Sequence, residues 1–344
     1  MKKAMNIIMP IMLVLLLVFN IFTYAKVKAL EDAGDDFYVE DVAQEDDVTI
    51  GSEYVIKSTT QISDAYISGD VSKLSATDRE TLDMASAVLD EIITDGMSDF
   101  DKERAVYDWM CANIGFDEGS MTVIPESDAN CDTPYGVLKN HNAVCVGYAT
   151  TFRLFMQMMG IECMVVHDSY LSHSWDLVKL DGHWYHTDVY SDAPGGGYVN
   201  FNLNDATMMN MQDWNTEFFP AADGYEYNLA YINRVGIGDV YDIPMAVREA
   251  MDNGQRIFGL QFHDGDVDYV LAEAVLDKVQ TYLMEPAGVT TYTWLNWSWL
   301  SISDTESMLY VSLTTEDGSD VGGDGLTEAE LARIDQAISS AFGG

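Results

Sequence analysis

The apolar positions of this chain change period several times, and the changes mark out elements. Thr77-Asp78-Arg79-Glu80 has the form of a capping box, with Leu82, Ala85, Val88, Leu89 and Ile92 following at helical spacing. That pattern predicts a helix with the apolar stripe facing a core. Ser98 and Asp101 repeat the cap signal ahead of Ala105, Val106, Trp109, Met110 and Ile114, a second helix. Residues 116–135, rich in Asp, Pro and Gly, read as loop. A third helix is expected to begin near Cys145, with Tyr148, Ala149, Phe152, Phe155, Met156 and Met159 inward and Gly160 as its stop. Residues 161–167 form a short apolar run of strand character. Residues 173–180 and 183–190 predict a hairpin around Asp181-Gly182, a dipeptide that tolerates the positive φ angles of a two-residue turn.

Beyond residue 229 the pattern restarts. Strands are expected over 256–262, 290–301 and 308–314, and a helix over 270–283. A last helix opens at Thr327-Glu328-Ala329-Glu330, another capping box. Residues 54–75 fit either a strand or a helix. The fold class is therefore α+β, with helices packed on an antiparallel sheet and a small C-terminal α+β unit. The expected division is a leader over 1–29, an acidic tether over 30–75, a main domain over 76–229 and an accessory unit over 230–344.

Length and composition agree with this. The 344 residues, 48% hydrophobic and 22% charged, suit one large or two ordinary globular domains. A net charge of -40, from 57 acidic and 17 basic residues, argues against nucleic acid, which needs clustered Lys and Arg. Such charge serves solubility first; a cationic substrate or calcium is the sharper alternative. Lys2 and Lys3 precede an apolar run over 4–25, and Thr23-Tyr24-Ala25 fits a cleavage site. The run is also nearly long enough to span a bilayer. Whether cleaved or kept as an anchor, it predicts an extracytoplasmic protein, secreted or held at the membrane.

Cys145, in Ala143-Val144-Cys145-Val146-Gly147-Tyr148-Ala149, carries the candidate chemistry, with His173 and Asp188 following in that order. A thiol, an imidazole and a carboxylate are the parts of a nucleophilic acyl-transfer site. A cysteine at a helix start has its thiolate stabilised by the dipole and by free N–H groups, which can also hold an oxyanion. Gly147 would let backbone or substrate approach closely. With Asp181-Gly182 as the turn, Leu180 opposes His183, Trp175 opposes Asp188 and His173 opposes Tyr190. His173 and Asp188 are then diagonal neighbours on one face, and a slip of one residue would part them. Trp175 and Tyr190 share that face and would shield the imidazole or line a groove. Taken singly, a helix-start Cys, a strand His and a strand-end Asp are ordinary core, surface and turn residues. Their order and register together point to a triad.

The same segments resemble the transglutaminase-like superfamily of papain-like thiol enzymes. Gly136-Val137-Leu138-Lys139-Asn140 with Val144-Cys145-Val146-Gly147-Tyr148-Ala149 is similar to its nucleophile segment. His173-Ser174-Trp175-Asp176, Leu180-Asp181-Gly182-His183-Trp184-Tyr185 and Asp188 are similar to its histidine and aspartate segments. Residues 101–117, with Tyr107-Asp108-Trp109, resemble the preceding helix of bacterial members. The likeness spans about residues 80–190. It implies Cys145 as nucleophile, His173 as general base and acid, Asp188 as its orienter, and a catalytic domain over 76–229. Ser174 stands where members often carry Ala, and Val189-Tyr190 replaces a frequent Pro-Thr. Tyr135 sits where an upstream oxyanion donor would come from. No cofactor or metal is implied. The expected substrate is a protein or peptide amide at the cell envelope, cleaved, deamidated or cross-linked. The alternative is a catalytically silent binding module on the same fold.

Other signals carry less. Asp264-Gly265-Asp266-Val267-Asp268 begins like a calcium loop, but Tyr269 and Val275 stand where Gly and Glu are required. His183 and His186 lie on opposite faces of a strand, a poor metal pair, which leaves His186 as a rim or packing residue. Trp297 and Trp299 share a face that would serve packing or a carbohydrate platform. Of the four cysteines, Cys163 reads as a core thiol, and Cys111 and Cys131 could bridge although nothing requires it.

Overall fold

The computed structural model describes residues 48–50, 54–116, 130–169, 172–193, 197–262, 268–284, 294–303, 306–314 and 327–342. The apolar run at 4–25, the acidic tether up to residue 47 and most of the calcium-like loop lie outside these residues, whereas the described part of the stretch expected as tether, 48–50 and 54–75, holds two strands and a helix. Among the described residues no helix is long and apolar enough to cross a membrane. Residues 1–58 and 59–344 form two compact units. In the first, Val48–Ile50 (β1) and Tyr54–Ile56 (β2) pair antiparallel.

The second unit opens with three helices, Thr60–Ser68 (α1), Ala76–Ile92 (α2) and Asp99–Asn113 (α3). Then come strand Gly115–Phe116 (β3), helix Pro134–Asn140 (α4), strand Asn142–Ala143 (β4) and helix Cys145–Met158 (α5). A sheet follows, of Cys163–His167 (β5), Ser174–Leu180 (β6) and His183–Thr187 (β7), all antiparallel. Three one-turn helices, Val189–Asp192 (α6), Asp205–Met208 (α7) and Leu229–Ile232 (α8), punctuate the loops after it. The C-terminal part contains Val235–Ile237 (β8), helix Ile243–Asp252 (α9), Ile257–Phe262 (β9), helix Tyr269–Met284 (α10), Trp294–Ser303 (β10), Glu306–Thr314 (β11) and helix Glu328–Phe342 (α11). Its sheet order is β10-β11-β9-β8, with only the β8–β9 pair parallel. The class is α+β, with helices packed on antiparallel sheets.

Local chemistry explains most boundaries. Helix α2 starts two residues before the Thr77 box would place it. Ser75 is the N-cap, its hydroxyl accepting the Asp78 N–H at 3.1 Å, while the Thr77 carbonyl already accepts from the Thr81 hydroxyl. Ser98 caps α3 as the sequence predicts. Helix α4 falls at the end of the stretch read as loop. Thr133 caps it and Pro134 occupies its first turn, so a residue read as a breaker is a starter. The same disguise hid α9, which begins Ile243-Pro244.

Helix α5 is buried almost all round, from Cys145 through Met156. A helix apolar on every side has nowhere to lie but inside, and α5 packs on β5 and β6 at the centre of the larger core. Arg153, the charge within it, is fully buried; its Nε donates to Thr59 Oγ1 at 3.1 Å and it sits beside Asp176. Strand β11 shows how the second core is made. Met308 and Tyr310 join the larger core, while Leu309 and Val311 face the other way, onto α9, α10 and α11. Trp297 and Trp299 pack against that second core, and Trp299 Nε1 donates to Glu273 at 2.8 Å. No cysteine is in a disulfide, so Cys111 and Cys131 stand unbridged.

Candidate active site

Cys145 is the first residue of α5, after Val144, which caps the helix without a side-chain bond. The first amides of a helix have no acceptor within it. Here Val144 N–H bonds to Cys131 O at 3.1 Å and Gly147 N–H turns back to Val144 O at 2.9 Å. Among the described residues, the amides of Cys145 and Val146 have no backbone acceptor, which makes them the N–H pair suited to an oxyanion. Gly147, by contrast, spends its N–H locally. Its missing side chain admits backbone, since an added Cβ would lie 1.9 Å from Cys131 O. The close approach expected there is thus structural, and Gly147 is no oxyanion donor.

His173 comes from the hairpin. Leu180 pairs with His183 and Asp176 with Thr187, across a turn with Asp181 at φ 50° and Gly182 at φ 90°. Ladder pairing stops there, so His173, Asp188 and Tyr190 sit just beyond the strand ends and not within them. The intended meeting still occurs. His173 Nε2 lies 2.6 Å from Asp188 Oδ2, and its ring also hydrogen-bonds to Cys145. With Nε2 committed to the carboxylate, Nδ1 is the nitrogen left for the sulfur. Burial opposes a charged ring here, but hydrogen bonds to Asp188 and Cys145, and their negative charge, win and push His173 up to about 10.

The sign of that shift has a consequence. A histidine held above its ordinary 6.5 contributes stability in full below about 6.5 and loses it as pH rises through about 10. A titration of ¹⁵N-histidine by NMR is expected to place the His173 midpoint near 10, and a midpoint near 6.5 would show that the pair does not form.

Asp188 has two duties. Its Oδ2 also accepts the Ser191 hydroxyl at 2.6 Å, and Oδ1 accepts the Ser191 N–H at 3.1 Å, so the carboxylate caps α6 while holding the imidazole. Behind it, Asp192 accepts from Tyr107 OH and from both nitrogens of Asn200, whose carbonyl accepts the Asp188 N–H. On the histidine side, Asp168 takes the backbone N–H groups of Ser172 and His173 and the Ser172 hydroxyl, and its own N–H bonds to His173 O. Of these, Tyr107 entered the sequence reading only as part of a helix motif, and Asp168, Ser191, Asp192 and Asn200 did not stand out. Only Asp168 left a local trace, as an Asx-type acceptor a few residues before the histidine.

Trp175 and Tyr190 both reach His173, with ring centroids 5.8 and 5.6 Å away. Trp175 is fully buried and stacks at 24°, while Tyr190 also meets Phe116 and Tyr148. Tyr135 is not brought to this group. Its hydroxyl is turned to Glu80 Oε2 at 3.1 Å and to Lys139, in an exposed cluster, because those charged partners lie on its own side of α4. That corrects its reading as an oxyanion donor. His186 is no rim residue either; it is buried and bonded at both ring nitrogens.

One neighbour of the site titrates. Glu103 is fully buried beside Thr187 and Asn202. Thr187 has a single hydroxyl proton, yet its oxygen lies 3.1 Å from Asn202 Oδ1 and 3.2 Å from Glu103 Oε1. The ring closes only if Glu103 is protonated and donates to Thr187. Burial indeed pushes Glu103 up to about 8. The folded chain therefore keeps a proton that the unfolded chain releases above about 4.5, and stability falls as pH rises from there to about 8. Glu103→Gln, whose amide can serve the same ring, is expected to flatten the urea-melt stability profile across that window. A mutant curve parallel to wild type would sink this assignment.

Comparison with known proteins places the segment in a family. Residues 86–189 match the model of the transglutaminase-like superfamily. The chain is 24% identical over 136 residues to the mouse (Mus musculus) kyphoscoliosis peptidase, covering 36% of this chain and 20% of that one, so it spans about a fifth of that relative's length. A solved structure titled as a crystal structure of a TGase is 14% identical over 46% of this chain and 43% of its own, with a TM-score of 0.29. On the family match, residues 86–189, which contain Cys145, His173 and Asp188, belong to the transglutaminase-like superfamily.

Proposed function

We propose that the chain is an exported cysteine enzyme that acts on amide bonds of proteins or peptides. The observation that carries this is the His173 ring, bonded on one side to Asp188 and on the other to Cys145 at a helix start. In the proposed cycle the Cys145 thiolate attacks an amide carbonyl carbon. The oxygen takes the negative charge and accepts from the Cys145 and Val146 amides. His173 gives its proton to the nitrogen, the C–N bond breaks, and an amine or ammonia leaves a thioester. Water or a second amine then attacks, passing its proton to His173, and the thiolate departs. Export rests on the basic and apolar pattern of residues 2–25.

The test is a glutamine-containing peptide library, incubated with and without a primary amine and read by mass spectrometry. Cleavage, loss of ammonia and amine incorporation give three different mass shifts, each expected to vanish in Cys145→Ala. No shift of any kind would remove the proposal. A second reading, a silent binding module, is favoured by the 6% exposure of Cys145. It predicts that the Cys145 thiol reacts no faster than Cys163, which burial pushes far from thiolate formation.

A further inference from the structure

Trp175, which covers one face of His173, is itself held from behind. Its indole N–H donates to His186 Nδ1 at 2.9 Å, and His186 Nε2 lies 2.8 Å from Asp205 Oδ1. Donor and acceptor logic fixes every proton in this line. An indole nitrogen only donates, so His186 Nδ1 must be a lone pair and its proton sits on Nε2, donated to the carboxylate. Trp214 then packs edge-on against both rings, 6.0 Å from Trp175 and 4.6 Å from His186. Backbone bonds of His186 to Leu203, 2.8 and 2.9 Å, pin the strand beneath, and the Asp205 N–H is tied to Ala222 O. Burial keeps His186 neutral.

We propose that Asp205, His186 and Trp175 form a second relay whose task is to press an electron-rich indole face onto the His173 imidazolium. His186 and Asp205 are then positioning residues for the thiolate–imidazolium pair. This rests on the thiol-enzyme reading above. The physical gain is a cation held over an aromatic face and shielded from water, and an indole whose N–H is donated to a neutral imidazole backed by a carboxylate cannot rotate off that ring. The titratable groups that face His173 are Cys145, Asp188 and Tyr190. The carboxylate that faces His186 is Asp205. Neither set contains a cation that would compete for the role.

The test reads the His173 midpoint by ¹⁵N-histidine NMR in full-length protein, with iodoacetamide labelling of Cys145 alongside. His186→Leu removes the acceptor and should lower the midpoint by about 0.4 to 1.5 pH units, the range from a solvent-exposed to a desolvated cation–π contact. His186→Gln, which restores an acceptor oxygen, should recover most of that loss. His183→Ala, on the exposed hairpin tip, should leave the midpoint in place. Should His186→Leu fail to fold, Asp205→Ala takes its place, since the Asp205 side chain is already 24% exposed. It should lower the midpoint in the same direction. An unchanged midpoint in a folded His186→Leu or Asp205→Ala overturns the relay and leaves the thiol enzyme standing. If wild-type Cys145 shows no selective labelling, the thiol enzyme itself fails and the relay falls with it.

Discussion

Replacing His173 with Ala is expected to slow iodoacetamide modification of Cys145 near neutral pH by at least about 30-fold. The reason is electrostatic. In the native chain the ring is held as an imidazolium between Asp188 and the sulfur, so a negative sulfur at pH 7 has a positive partner. Without it the sulfur keeps only the helix amides beside it, and an ordinary thiol is only a few per cent thiolate near neutral pH. Amide turnover should fall further, by about 10²- to 10⁴-fold, because in the proposed cycle the same ring also protonates the leaving nitrogen. Labelling followed by peptide mapping checks the first number and the peptide-library assay the second. Equal labelling rates in wild type and variant would mean that the sulfur and the ring do not communicate, and the silent-module reading would take over.

Gly147→Ala should be strongly destabilising for a single-methyl addition. The new carbon would sit 1.9 Å from Cys131 O and 3.0 Å from Val137 Cγ2. The first of these is backbone, already holding the Val144 N–H, so it cannot swing aside as a side-chain tip could. Overpacking of that kind costs about 3 kcal/mol or more. Urea melts should show it, and Cys145 labelling should drop in parallel because the helix start must move. Gly115→Ala is the comparison, since its added carbon meets His141 O at an ordinary 3.6 Å and should cost less than about 1 kcal/mol. Similar losses for both would mean that the tight packing at α5 is not what fixes the helix start.

What the sequence revealed and what it hid divide along the range of the interactions. The Asp181-Gly182 turn sets the pairing of Leu180 with His183, and that register delivers His173 and Asp188 to neighbouring positions just past the strand ends. The Cys145 helix start is equally local, a matter of spacing and of what precedes it. Some of the groups that brace this region arrive from far along the chain. Tyr107 reaches Asp192 across 85 positions, and Asn202 reaches Glu103 across 99. No periodicity records such pairs, since a buried polar group needs a partner but does not say where it comes from. Tyr135 failed for the same reason in reverse. Its hydroxyl could serve many partners, and Glu80, 55 positions away, is the one it faces. His186 read as a rim or packing residue because its two bonds, to Trp175 and Asp205, lie across a strand and beyond a loop.

Asp168 grips the chain on both sides of a short span, binding Ser172 and His173 with its carboxylate while its own amide bonds to His173 O. The base of that span is closed like the neck of a drawstring. The position of His173 is thereby set through its backbone as well as through its ring.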